Sequence, residues 1–418
     1  MLKKNPASPP KLAAFEALWK ELFSSPIHLD SALSKASRLH KSALAQAVPP
    51  ILLRPTSLAE AAGVGVAPGE PWTLAPEALQ DWAPARSMAA RILDGALEPR
   101  RVPRSSLSDF PVPMIEDWTR DWGPKVAEVL AENLGVEPPL SVRVKQEVGA
   151  EALKKDWSPQ LPVKVSVSDL SPVGVRLASY APILNSEASE RGDFEIQDEG
   201  SQVMAVFALW PEKVAHLLSP VPGPVKSAGK AVQLPESAPA WTVVDTCAGA
   251  GGKTLALADL LSGKGRVYAY DTSPRKLQAL RRRGKRAGVN NIQAVALTEG
   301  KESETVKRFR RRAQAVLVDA PCSGWGVLRR NPDIKWRQDP ETLTRMPEIQ
   351  KRLLALYSDL VAPGGLLTFG VCTFRRAETI DIVEAFLKER PDFEKGPGGF
   401  LGPSPCDGFF MQSFRRKA

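Results

Sequence analysis

Cysteine and histidine are scarce in this sequence, with four and three residues respectively in 418. Cys247, Cys322, Cys372 and Cys406 all fall in the C-terminal part, and no two stand in CxxC spacing. So few cysteines in so long a chain exclude a disulfide framework. His28, His40 and His216 lie far from them, so no zinc site is expected and no metal is assigned. Long apolar runs are missing too: no stretch reaches the ~18 residues that a membrane helix needs. Met1–Phe15 lacks the apolar segment of a secretory signal. These absences point to a cytoplasmic protein with no membrane partner. There is no internal repeat, and nothing in the sequence calls for an obligate protein partner or an oligomer.

Hydrophobic residues make up 43% and charged residues 25%, enough for packed cores and against wholesale disorder. Lys and Arg number 56 against 47 Asp and Glu, a formal charge of +9. Such an excess fits an acidic partner such as nucleic acid, and equally fits simple solubility.

Three regions are expected. Residues 1–110 read as helical: Leu12, Phe15, Trp19 and Leu22 share one helix face, and helices are predicted over 29–48 and 85–97. Residues 49–84 read as Pro- and Gly-rich loops with a short helix near Leu58. Residues 111–200 read as a small α+β domain. It has a helix around Trp118–Leu130, a strand over Leu140–Lys145, and β segments near 162–167 and 173–178. Residues 201–418 read as an α/β domain, with a Pro-rich linker at 219–240 expected to separate it from the middle of the chain. From Trp241 strands and helices alternate, which predicts a doubly wound, mostly parallel sheet covered on both faces.

The first strand of that domain runs into Cys247-Ala248-Gly249-Ala250-Gly251-Gly252-Lys253-Thr254. Glycines between a strand and a helix let a ligand approach the backbone. The next strand ends in Asp271, where a carboxylate can bind ribose hydroxyls. Turn and carboxylate together predict a nucleoside site. A P-loop would need Gly where Cys247 stands, and a dinucleotide turn would need GxGxxG rather than GxGG. A tight turn without a ligand is the bland alternative. S-adenosylmethionine is the favoured cofactor, because its sulfonium needs no phosphate cradle and nearby carboxylates suit its charge.

Two thiols close the later strands. Cys322 follows Val316-Leu-Val-Asp319-Ala-Pro, and Cys372 follows Gly365-Leu-Leu-Thr-Phe-Gly-Val. Functional loops of a parallel sheet gather at its carboxyl edge, so both thiols are expected on the rim that carries the glycine turn. Carbon 5 of cytosine is a poor nucleophile. A thiolate adding to carbon 6 makes it enamine-like, and a second thiol can assist the later release. Taken singly, each cysteine can equally be a small buried hydrophobe; Cys247 and Cys406 are read that way.

These motifs resemble the RsmB/Nop2/Sun family of RNA 5-methylcytosine methyltransferases, over roughly residues 113–418. Gly192-Asp-Phe-Glu-Ile-Gln-Asp-Glu-Gly-Ser201 resembles the segment that precedes the catalytic core. Cys247–Thr254 resembles the cofactor-binding CAAPGGKT, with Ala250 in place of its Pro. Asp271 with Arg275 resembles the ribose-contacting motif. Asp319-Ala-Pro-Cys322-Ser-Gly, Asn331-Pro-Asp-Ile-Lys335-Trp336-Arg337, Cys372-Thr373 and Asp407-Gly-Phe-Phe-Met411 resemble later motifs in order. The resemblance implies a Rossmann-like domain binding S-adenosylmethionine through Cys247–Lys253, Asp271, Arg275 and Asp319. It implies that Cys372 attacks carbon 6 and that Cys322 promotes elimination. It implies further that Asp319 contacts the cytosine edge and helps protonate it, with Lys253 beside them. The family's Asp after the third strand is missing here; Thr298 or Glu299 is expected to replace it. Resemblance to the RsmB-like branch implies a NusB-like, RNA-binding helical domain in residues 1–110 and a 16S ribosomal RNA substrate. Transfer RNA is the enzymatic alternative, and a non-catalytic RNA-binding assembly factor is the alternative of another class.

Two basic runs, Arg275–Arg286 and Lys307–Arg312, are candidate phosphate contacts or simply solvated helix faces. Trp325 and Trp336 are candidates either for base stacking or for core packing.

Overall fold

The computed structural model describes residues 9–418 apart from 25–27, 37, 67–71, 73–75, 100–104, 180, 226–231, 236–238, 299–301 and 338. The chain forms two compact units. One is Met1–Glu137 with Val327–Asp339; the other is Pro138–Gly326 with Pro340–Ala418. Among the described residues no helix is long and apolar enough to cross a membrane.

Among its described residues the first unit is all helical: α1 (Pro9–Ser24), α2 (Leu29–Lys35), α3 (Arg38–Leu53), α4 (Pro55–Ala62), α5 (Pro76–Gln80), α6 (Ala83–Leu93), α7 (Val112–Trp122) and α8 (Pro124–Leu134). On α1 Phe15, Trp19 and Leu22 of the expected stripe are buried, Leu12 is half-buried, and Leu18 joins the buried face. α3 departs from expectation, since it runs through Pro49 and Pro50 where a loop was predicted. Ala47, Val48, Ile51 and Leu52 are all fully or almost fully buried on either side of the prolines, so packing overrides the lost backbone donors. Asp109 holds the start of α4, accepting from the Thr56 and Ser57 backbone at 3.0 and 2.9 Å.

The segment Val327–Asp339 completes this unit's core. Trp336 meets the rings of Trp19, Phe23, Trp72 and Trp82, and its Nε1 donates to Leu52 O at 2.7 Å. The buried Lys335 ammonium donates to the carbonyls of Leu53 and Asp109 at 2.5 and 2.6 Å and lies over Phe110. Burial pushes its pKa down to about 7.

Among its described residues the second unit has two sheets. A four-stranded antiparallel sheet, order β2-β3-β1-β4, comprises β1 (Leu140–Val144), β2 (Val165–Val167), β3 (Gly174–Leu177) and β4 (Phe194–Ile196), with α9 (Ala150–Trp157) and α10 (Glu187–Glu190) between them. α11 (Glu199–Leu209) and the short α12 (Pro211–Val214) lead to the large sheet. From Val203 on α11 is apolar all round, and it is buried along nearly its whole length, Glu199 and Gln202 of its polar first turn included.

The large sheet has the order β10-β11-β9-β8-β5-β6-β7. Its strands are β5 (Thr242–Asp245), β6 (Arg266–Asp271), β7 (Ile292–Ala296), β8 (Ala313–Asp319), β9 (Val361–Val371), β10 (Phe393–Leu401) and β11 (Phe409–Arg416). The connecting helices are α13 (Gly252–Leu260), α14 (Pro274–Arg286), α15 (Glu302–Phe309), α16 (Pro340–Ser358) and α17 (Ile380–Glu389). β9, β8, β5, β6 and β7 are parallel; β11 and β10 join antiparallel. This is the Rossmann-like sheet expected from sequence. The chain winds outward from β5 to β7 and then returns to the other side of β5, so the switch point lies between β5 and β8.

Two expectations are corrected. A boundary at residue 110 would have put α7 and α8 with the α+β domain, but they pack in the helical unit, while the small sheet shares a unit with the large one. The stretch 219–240 is not a free linker where it is described. Ser219 N and O bond Phe400 at 2.9 and 2.7 Å, Val225 N donates to Ser404 O at 2.9 Å, and Val232 is buried in the core.

Candidate active site

The switch point brings four chain segments to one edge. β5 ends at Asp245 and turns through Cys247–Gly251 into α13. Gly249 and Gly251 take φ of +55° and +90°, which L side chains rarely adopt. A Cβ on Gly251 would run into Leu280 of α14. A Cβ on Gly249 would meet nothing within 4 Å, so that face of the turn is open. Asp271, at the end of β6, accepts from Gly249 N at 2.8 Å and from Ser273 N at 2.7 Å. Each of its oxygens keeps a lone pair for a ligand hydroxyl. Arg283 caps the Ala250 carbonyl at 2.7 Å.

Asp245 is buried behind the turn. Its Oδ2 accepts from Thr254 Oγ1 at 2.7 Å, while Oδ1 has no partner among the described residues. Burial pushes its carboxyl up to about 7. An orphaned acceptor beside an open glycine turn and a rim carboxylate fits a nucleoside-type cofactor carrying positive charge. Cys247 is partly buried and its thiol is pushed up, chiefly by burial, consistent with a packing residue rather than a reactive one.

The two remaining strand ends carry the thiols. Cys322 Sγ and Cys372 Sγ are 3.3 Å apart, and both are free. The hydrogen bond to Cys372, and then burial, push the Cys322 thiol well above its ordinary value, so it holds its proton. Lys253, in the first turn of α13, donates to Asp319 Oδ2 at 2.6 Å. Its ammonium is raised despite burial, because Asp319 and, more weakly, Cys372 and Asp245 favour the charge. Phe409 of β11 lies 5.5 Å below that ammonium.

Turn, Asp271, Lys253, Asp319, Cys322 and Cys372 are thus assembled along the carboxyl edge of neighbouring strands. Arg275 is exposed in the first turn of α14, and Thr298 is exposed just beyond β7. Glu299 lies outside the described residues. Neither tryptophan offers a stacking face: Trp325 is 1% exposed with the Arg375 guanidinium over its ring, and Trp336 belongs to the helical core. The basic runs divide. Arg283 and Arg286 grip the buried Glu195 of β4 at 2.9 and 2.5 Å, and Arg310 pairs with Asp359. Arg275, Lys276, Arg282 and Lys285 are exposed along α14.

Sequence reasoning missed the supports around the thiols. Ser323 Oγ and Thr373 Oγ1, one residue past each cysteine, are 2.7 Å apart. Gly326 N donates to Cys372 O at 2.9 Å, and Gly408 N donates to Gly326 O at 2.8 Å. No spacing marks such contacts, because they join loops far apart in the chain.

Residues 233–405 match the family model described as 16S rRNA methyltransferase RsmB/F. The chain is 31% identical over 281 residues to the "Probable ribosomal RNA small subunit methyltransferase B" of Bacillus subtilis, covering 67% of this chain and 56% of that one. It is 31% identical over 199 residues to ribosomal RNA small subunit methyltransferase B of Thermus thermophilus, covering 44% and 48%. The chain thus spans about half the length of these curated relatives. Among solved structures, PH0851 superposes with a TM-score of 0.72 at 21% identity over 99% of this chain and 100% of that one. NSun6 from Pyrococcus horikoshii gives 0.59 at 16% identity, over 74% and 99%. At these identities the structural matches speak for the fold alone.

Proposed function

Since this chain belongs, through residues 233–405, to the RsmB/Nop2/Sun methyltransferase family, we propose that it methylates carbon 5 of a cytosine in RNA, with S-adenosylmethionine as methyl donor. Small-subunit ribosomal RNA is the substrate favoured by the names of its relatives. The observation that carries the chemistry is the thiol pair: two free cysteines 3.3 Å apart beside a Lys253–Asp319 ion pair.

The cofactor supplies an electrophilic methyl group. Gly249–Gly252 would let it approach the backbone, Asp271 would take its ribose hydroxyls, and Thr298 would stand near its base. The Cys372 sulfur forms a bond to carbon 6 of the cytosine, and the displaced electron pair makes carbon 5 nucleophilic. Asp319 accepts from the 4-amino group while Lys253, sharing its proton with Asp319, neutralises charge growing on the ring edge. After methyl transfer the hydrogen on carbon 5 leaves as a proton. The pair it leaves behind restores the 5,6 double bond and expels Cys372. Cys322, next to that sulfur, promotes this elimination by giving its proton to the departing Cys372 sulfur, and the Cys322 thiolate so formed takes up the carbon 5 proton. That Cys322 holds its proton fits the thiol that acts late. The exposed cations of α14 would contact phosphates, giving affinity without sequence information.

Trapping tests the assignment. Wild type, Cys322→Ala and Cys372→Ala are incubated with 16S ribosomal RNA transcript and S-adenosylmethionine, then run on denaturing gels. Cys322→Ala should accumulate a covalent enzyme–RNA adduct, and Cys372→Ala should form none. The reverse pattern would swap the roles. Methylation of transfer RNA but not of the transcript would move the substrate.

A further inference from the structure

Cys322 sits in a loop whose two flanking peptide groups are both held from outside. On one side, Gln350 Nε2 of α16 donates to Pro321 O at 2.9 Å. On the other, Ser323 N donates to Glu378 Oε2 at 2.9 Å. The two supports also touch each other, since Gln350 Nε2 donates to that same Oε2 at 2.9 Å. Arg375 closes the cluster, donating to Glu378 Oε1 at 3.1 Å and to Leu343 O at 2.8 Å. Both Gln350 and Glu378 are wholly buried.

This cluster is costly to build. Burying a carboxylate is tolerated only where donors and a counter-charge surround it, as Ser323, Gln350 and Arg375 do here. Gln350 carries a further cost, because its Oε1 has no partner among the described residues. A buried amide that uses only its donors is placed for those donors, and one of them is spent on the peptide just before Cys322. Glu378 lies six residues after Cys372, so the cluster fixes the Cys322 loop to the segment that follows the other thiol.

We propose that Glu378 and Gln350 are positioning residues that hold the Cys322 thiol against Cys372 for the elimination step. The inference rests on the two-thiol reading above. A thiol displaced by about 1 Å would lose elimination by on the order of 100-fold, while addition by Cys372 would continue.

The experiment uses the full chain, 16S ribosomal RNA transcript, and the same transcript made with 5-fluorocytosine. Fluorine cannot leave carbon 5 as a proton does, so the adduct on fluorinated RNA reports addition and methyl transfer without elimination. Glu378→Ala and Gln350→Met should lower kcat on ordinary RNA about 10- to 100-fold with KM for RNA within about twofold, and should accumulate adduct as Cys322→Ser does. On fluorinated RNA they should form adduct at the wild-type rate. Glu378→Gln, which keeps an acceptor for Ser323 N–H, should recover turnover to within about fivefold of wild type. The proposal is overturned if both variants turn over normally while Cys322→Ser accumulates adduct. It is also overturned if they slow adduct formation on fluorinated RNA, since the fault then lies in the whole site. If Cys322→Ser itself gives no adduct on ordinary RNA, the two-thiol reading fails and this inference falls with it.

Discussion

At the scale of single residues, Asp245 ties the stability of the unit around the glycine turn to pH. Its carboxyl is buried, has one donor in Thr254, and is pushed up to about 7 from an ordinary 3.8, with burial as the largest cause. Between pH ~4 and ~7 the folded state therefore holds a proton that the unfolded chain has lost. Stability of this unit falls as pH rises through that window and levels off above it. At ~1.4 kcal/mol per pKa unit the whole effect is at most about 4 kcal/mol. Asp245→Asn removes the titration and should flatten the profile. Urea midpoints of the two proteins at pH 5 and pH 7.5 check this: equal slopes for both would dismiss Asp245 as the source. The sequence showed Asp245 only as the last residue of a strand. It did show Cys322, Cys372, Asp319, Lys253 and Asp271 as one rim, because strand ends of a parallel sheet converge whatever their separation in the chain. The 3.3 Å between the thiols was not legible, since it depends on the loops and their buried supports.

At the scale of elements, the two thiol loops depend on glycines that let backbones touch. Gly326 bonds Cys372 O through its N–H and Gly408 N through its carbonyl. A Cβ there would overlap the Gly408 carbonyl, and a Cβ on Gly408 would overlap the Phe374 ring. Backbone, unlike a flexible side chain, cannot step aside cheaply. Gly326→Ala should therefore destabilise the second unit by about 1–3 kcal/mol and lower adduct formation, because the strain falls between the loops that present the thiols. Thermal unfolding together with the trapping assay checks both effects; a variant with unchanged melting and unchanged adduct yield would refute the close-contact role. Period-two alternation made β1 legible, the alternation of strands and helices after Trp241 made β5, β6 and β8 so, and helical stripes revealed most helices. α3 ran on through Pro49 and Pro50 because burial outweighed local propensity. β10, with three glycines and a proline, has no alternation to read; it is held by its pairing with β11.

At the scale of the whole molecule, chain order and packing part company at Val327. Composition suggested a helical region ending near residue 110. The helical unit in fact extends to Glu137 and takes Val327–Asp339, which follows the Cys322 loop in the chain. No composition shift marks that segment, because its Trp336 and Lys335 look like any loop residues until their partners are known. Those partners are strong ones: four aromatic rings and the Leu52 carbonyl for Trp336, two carbonyls and the Phe110 ring for the Lys335 ammonium. A chain cut at residue 138 would thus leave an indole and its apolar neighbours in water. It should express poorly and aggregate, through an exposed patch that the full chain buries. The same truncation with 327–339 replaced by a Gly/Ser linker of equal length should be soluble and unfold cooperatively, because the second unit has its own cores in the two sheets. Soluble yield and calorimetric melting of the two truncations decide the matter. Equal aggregation of both would mean that the second unit needs the helical one for more than covering this segment.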